Sequence, residues 1–183
     1  MSIIDNQPAN LNPLSPLGFR FQIKRIPNIN YFCQSVVLPT ITMNPIEMQS
    51  SPFGVIPRPG DRLHYDPFIL RFRVDEDLIN YVEIEQWLVG MGHPESLKQS
   101  ADFAKENPTP FAAGRGDASA SNFVSDATLT VLTSHKNPSI NIFFQDAFPI
   151  TLTELTFDTT LMDVEYLEAT VTFRYRKYSI ESI

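Results

Sequence analysis

Between residues 19 and 24 apolar and polar side chains alternate without a break, Phe19, Phe21 and Ile23 against Arg20, Gln22 and Lys24. A period of two marks a pleated strand with one dry and one wet face, a pattern that a helix of period 3.6 cannot satisfy. The chain closes the same way, with Val171, Phe173 and Tyr175 alternating with Thr172, Arg174 and Arg176. Such strands are half buried, and in the closing strands the one wet face belongs to an antiparallel sheet. The intervening segments also read as strand: NYFCQSVVL after a turn at Pro27-Asn28, YDPFILRFRV to Val74, then ATLTVLTS, SINIFFQDAF, ITLTELTFD and LEATVTFRYRKY. The last four give a C-terminal β-meander over 126–180. Fourteen phenylalanines suit a half-buried pleated surface, and 183 residues with a 43% apolar fraction suffice for one core. The expected fold is a single domain over 1–183, mainly β with one flanking α-helix (α+β).

The helix is placed over 76–91. Asp75 fits its N-cap and Glu76 and Asp77 its first turn, where the helix dipole favours negative charge. Leu78, Tyr81, Val82, Ile84, Leu88 and Met91 recur at helical spacing while Glu83, Glu85 and Gln86 face water. Gly90, Gly92 and Pro94 end it, and Trp87 reads as a core anchor. Residues 1–18, with Pro8, Pro13 and Pro16, read as an extended N-terminal arm. Residues 93–125 pass from a short helical stretch to the small, polar run NPTPFAAGRGDASASN, a variable surface loop.

Residues 39–62 are unlike the rest. Prolines at 39, 45, 52, 57 and 59 rule out central strands, yet Ile41, Met43, Ile46, Met48, Phe53, Val55 and Ile56 are all apolar. A greasy, proline-broken excursion has no evident way to bury itself on its own sheet. A projecting hairpin or loop covered by a partner surface satisfies both facts; a loop folded back on its own domain is the plainer alternative.

Net charge is −7 and the isoelectric point about 4.9. That balance opposes a nucleic-acid binder, whose affinity comes from cations, but suits a surface past which DNA slides. The single cysteine, Cys33, excludes an intrachain disulfide and reads as a buried inert thiol. No leader pattern opens the sequence and no apolar run nears the ~20 residues that span a bilayer, so a soluble protein made in a reducing cytoplasm is expected. His64, His93 and His135 are isolated, no GxSxG, P-loop or GxGxxG occurs, and Asp75-Glu76-Asp77 is explained by a helix start. Arg115-Gly116-Asp117 reads as chance within a small-residue loop. Basic and aromatic residues interleave from Arg174 to Tyr178, which suits contact with phosphates or an edge strand defended by charge. No catalytic, cofactor-binding or metal residues are expected, and the chain is not read as an enzyme.

LGFRFQIKRI, FCQSVVLPTI, the proline-broken excursion and PGDRLHYDPFILRFRVDEDLINYVEIEQWL together resemble the tail-tube superfamily of contractile-tailed bacteriophages. SINIFFQDAFPITLTELTFDTT followed by a long alternating strand extends the resemblance, which covers about residues 17–180. Phe72-Arg73-Val74-Asp75-Glu76 and Phe148-Pro149 look like the terminator members that complete a tail. Leu38-Pro39 and Gly60-Asp61-Arg62 look like the tube subunits, which are usually shorter. The terminator is the preferred reading and the tube subunit, forming the DNA channel, the alternative; a monomeric ligand-binding β-sandwich is the alternative from another class. The resemblance implies an antiparallel β-sandwich or barrel of the tail-tube type with a flanking helix, assembled as a hexameric ring whose inner sheets join edge to edge around a channel. A terminator would cap the tail tube, stabilise the last sheath ring and connect to the neck. Implied partners are copies of itself and tube, sheath and neck proteins, with DNA passing only transiently and no membrane or cofactor. The implied location is the virion tail, assembled in the host cytoplasm. In such a ring Met43, Ile46, Met48, Phe53, Val55 and Ile56 would bury themselves between subunits, with Leu38, Pro39, Gly60 and Asp61 fixing the hairpin at its base.

Overall fold

The computed structural model describes residues 12–51, 54–92, 94, 96, 98–99, 123–160 and 166–183. In chain order its elements are β1 (Phe19–Ile23), α1 (Pro27–Phe32), β2 (Cys33–Val37), β3 (Ile41–Met43), β4 (Ile46–Ser51), β5 (Gly54–Arg58), β6 (Leu63–Tyr65), β7 (Phe68–Arg73), α2 (Ile79–Gly92), β8 (Ser125–Leu132), β9 (Pro138–Leu152), β10 (Glu168–Arg174) and β11 (Lys177–Ser182). Every pairing among them is antiparallel.

The main sheet runs β1-β8-β9-β10-β7-β2, with β11 also on β9. β9 is the 15-residue spine. Its first part pairs with β8 on one side and β11 on the other; its last residues pair with β10. Asp146 sits where β9 bends between these roles, in the left-handed region with φ 55. The Asp126 carboxylate holds the bend, accepting from the Asp146 N–H at 3.3 Å. Bending one strand between two half-sheets is a known way to turn the corner of a sandwich. The expected strand SINIFFQDAF therefore runs on to Leu152 through Pro149, which lies opposite Phe173 beside a register shift. The rest of the expected strand ITLTELTFD, Thr153 to Asp158, is irregular. The expected single strand LEATVTFRYRKY is instead broken at Tyr175–Arg176 into β10 and β11.

The half-sheets β1-β8-β9-β11 and β9-β10-β7-β2 close over one aromatic core. Phe68 is its centre, with ring centroids 4.6 Å from Phe144, 4.9 Å from Phe173 and 6.0 Å from Phe21. Alternation explains this: β7 buries Phe68, Leu70 and Phe72 and exposes Ile69, Arg71 and Arg73. α2 adds Ile84 and Trp87, fully buried; Trp87 meets Phe173 at 6.0 Å and donates its indole N–H to the Phe123 carbonyl at 2.7 Å.

Two helix readings need correction. α2 begins at Ile79, not residue 76, because Leu78 takes a left-handed φ of 59 and ends a turn that starts at Asp75. The Asp75 carboxylate still caps the helix, accepting from the Ile79 N–H at 2.8 Å, but Glu76 and Asp77 precede the first turn. Buried Asn80 sutures this junction, donating to the Arg73 carbonyl at 2.8 Å. The second correction is α1, read from sequence as turn and strand. Pro27 at its first position has the fixed φ and missing N–H that a helix start tolerates. α1 lies against β1, and the Asn30 side chain accepts from the Ile23 N–H at 3.0 Å. Residues 12–18 are irregular, with a turn at Pro16–Leu17, and residues 1–11 of the expected arm lie outside the described set. So does most of the 93–125 loop, including Arg115-Gly116-Asp117; β8 begins at Ser125, just before the expected boundary.

Candidate assembly interface

Between β2 and β7 the chain leaves the main sheet as a two-stage ribbon. Its lower stage pairs β3 with β6, Ile41 opposite Tyr65 and Met43 opposite Leu63. Its upper stage pairs β4 with β5, Ile46 opposite Arg58, Glu47 opposite Pro57 and Met48 opposite Ile56. Directly opposed residues in an antiparallel pair share a face. Ile46, Met48 and Ile56 thus form one apolar face bordered by Arg58, while Glu47, Val55 and Pro57 lie on the other.

The root of the ribbon is fixed in three ways. The Asp66 N–H donates to the Thr40 carbonyl at 3.1 Å, closing the two legs. Tyr65 turns inward and packs its ring 5.7 Å from Tyr178 and 6.0 Å from Tyr175. Burial among these rings pushes the Tyr175 hydroxyl pKa upward, so it stays a neutral phenol. Further out, Gly60 lies so close to the other leg that a Cβ there would stand 2.1 Å from the Asn44 carbonyl oxygen. Only glycine fits that crossing.

Beyond the root the apolar side chains face outward. Ile46 is 53% exposed, Val55 54%, Ile56 52% and Met48 44%. Met43, Ile41 and Leu63 are exposed on the lower stage. For residues of this kind such exposure is costly in isolation. Of the ten residues expected at an interface, Met43, Ile46, Met48, Val55 and Ile56 thus lie together on one projecting ribbon. Leu38 is exposed near its root, Gly60 occupies the crossing between the two stages with exposed Asp61 beside it, and Phe53 lies outside the described residues. Pro39 is buried within its own protomer, which suits a positioning role at the base and not a contact surface.

Sequence reading passed over two exposed residues beside the root. Val37 on β2 and Ile69 on β7 are opposed in register, and both are on the outer, solvent side of the main sheet. Their signal was present in the alternation, since both fall on the wet phase of their strands. On the same side Arg71 forms an ion pair with Glu168, holding that carboxyl below its ordinary range through the hydrogen bond, with Gln34 adding a second.

Groups with chemistry are scattered. His64 lies 3.6 Å from Asp66 on the ribbon, His135 is on the β8–β9 turn, and His93 is outside the described residues. Among the described residues no three His, Cys, Asp or Glu side chains gather as metal ligands. Half-buried Cys33 has its thiol pKa pushed up to about 12 by desolvation, which makes it a poor nucleophile. An open groove of about 480 Å³ lies where Asn12–Ser15 cross the β8–β9 turn, lined mainly by small polar side chains.

The sequence profile of the phage tail tube protein family matches residues 10–181. Over 59 residues the chain is 39% identical to the tail tube terminator protein of Enterobacteria phage T4; this stretch is 31% of the chain and spans about a third, 34%, of that relative's length. Among solved structures it is similar to the anti-feeding prophage cap, a tube terminating cap, with TM-score 0.59 and 15% identity over 100% of both chains. A chain of the sheath–tube complex of the PVC extracellular contractile injection system gives 0.55 at 15% identity, covering 100% of this chain and 99% of that one. The sheath/tube terminator of the same system gives 0.53 at 17%, covering 93% and 97%. These structural likenesses concern the fold.

Proposed function

The chain belongs to the phage tail tube protein family, and from that membership we propose that it is a tail tube terminator, a ring-forming structural subunit that ends the tube of a contractile phage tail. The observation that carries the choice within the family is the 39% identical stretch shared with a protein named tail tube terminator. The fold's likeness to a tube terminating cap agrees with it.

The ribbon supplies the mechanism. A projecting pair of strands with apolar side chains about half exposed loses little by ordering, since its root is already fixed by Tyr65 and the Gly60 crossing. Head-to-tail contacts that repeat around an axis close into a ring, here a hexamer, and leave two different faces. One face docks on the last tube ring and the other meets the neck; the rim holds the last sheath ring. DNA passes through the lumen without a specific site, and assembly takes place in the host cytoplasm.

A second reading, the tube subunit itself, is favoured by the likeness to a chain of a sheath–tube complex, at nearly the same TM-score. Incubating the purified protein alone separates the two, with electron microscopy as the readout. A terminator halts at single rings at every concentration, whereas long cylinders identify a tube subunit.

A further inference from the structure

Each half of the main sheet has an outer face, and the chemistry of the two differs. On the β1-β8-β9-β11 half the outer rows read Arg20, Thr130, Asn141, Glu181 and then Gln22, Thr128, Phe143, Ser179, with Lys24 and Lys177 beyond. Covering that face would strip water from charged and amide groups. On the β9-β10-β7-β2 half one outer row reads Val37, Ile69, Thr172, Thr151 across all four strands. Val37 is 54% and Ile69 41% exposed, the two threonines offer methyl groups, and Ile150, the extra residue of the adjoining bulge, is also exposed. The row itself carries no charge, and on the same side the Arg71 and Glu168 charges are already paired with each other.

The geometry points to a second copy of this chain as the occupant of that row: the Ile46, Met48 and Ile56 face of one copy's ribbon lies on Val37, Ile69, Thr172 and Thr151 of the next. This rests on the ring reading and names its contact. The row is long enough to receive the ribbon, since four strands span about 14 Å at ~4.8 Å spacing while the ribbon face is two strands wide, ~5 Å, and one pleat, ~7 Å, long. Both patches present apolar groups with no charge at their centres, and each copy carries one of each. They lie at different places on one chain, so their pairing is head-to-tail and leaves neither patch free once a ring closes. The row also leads into the ribbon through Val37 and Leu38, so each copy's donor and acceptor are neighbours along the chain.

Site-directed disulfide formation in the full chain tests this, in a Cys33→Ala background. Met48→Cys and Ile69→Cys proteins are mixed and oxidised, and non-reducing gels are read beside circular dichroism of each variant. The inference expects a covalent dimer only in the mixture, and in the double variant a ladder that ends at a closed ring. A dimer from Met48→Cys alone would mean that ribbons meet each other and would overturn it. So would pairing of Met48→Cys with Arg20→Cys on the charged face, or no cross-link although rings are seen by electron microscopy. Folded protein that forms no rings under any condition would instead refute the ring reading itself.

Discussion

Replacing Gly60 with alanine perturbs the ribbon at one atom. The added Cβ would stand 2.1 Å from the Asn44 carbonyl oxygen, and real contacts of this kind do not fall under 3.0 Å, so the legs must part by about 0.9 Å. Across a ~4.8 Å strand spacing that is a rotation of about 11°. From Gly60 to the tip at Gly54 the chain runs about 20 Å at ~3.3 Å per residue, so the tip moves by roughly 4 Å. Half-exposed apolar side chains moved that far no longer meet the surface they were shaped for. The core is untouched, because Tyr65 and Phe68 lie on the far side of the crossing. Gly60→Ala is therefore expected to cost about 1–2 kcal/mol of protomer stability, a few degrees in melting temperature, while ring assembly falls by at least tenfold. Sedimentation velocity at several concentrations, with a thermal melt of the same samples, reads both quantities. Wild-type ring formation by Gly60→Ala would refute the reasoning, as would global unfolding.

Three further outcomes follow from the same structure. Met48→Asp with Ile56→Asp should leave the melting temperature within a few degrees, since both side chains are half exposed in the protomer, yet abolish rings by placing carboxylates in a dry contact; intact rings on negative-stain grids would contradict this. Phe68→Ala removes the centre of the aromatic cluster and should cost about 3–5 kcal/mol, lowering the melting temperature by roughly 10 °C, as calorimetry would measure. Glu83 has its carboxyl pKa raised, chiefly by burial, against the hydrogen bond donated by Asn28 at 2.6 Å. The folded state then binds that proton more tightly than the unfolded chain, so stability falls as pH rises from the ordinary carboxyl value through the raised one. Glu83→Gln keeps an acceptor for Asn28 and should flatten that slope above the ordinary carboxyl range in denaturant titrations; an unchanged slope would discount Glu83.

The sheet was legible because alternation states which side of each strand is dry. Phe19–Ile23, Phe68–Arg73 and Glu168–Arg174 follow that pattern residue by residue. The ribbon was legible through a conflict, apolar residues among prolines, that no central strand resolves. What escaped was set by geometry the local sequence does not encode. Pro27 marks either a turn or a helix start, and packing of Ile29 into the core selects the helix. Asp75-Glu76-Asp77 looks like a first helical turn, but the left-handed Leu78 delays the helix. Val37 and Ile69 are unremarkable alone and become a patch only once register sets them side by side.

The central claim is a terminal ring, and where the subunit sits on the tail tests it most directly. Tails carrying this protein with a C-terminal tag, decorated with antibody and imaged by electron microscopy, should bear label at the head-proximal end alone. Label repeated along the length of the tube would contradict the account.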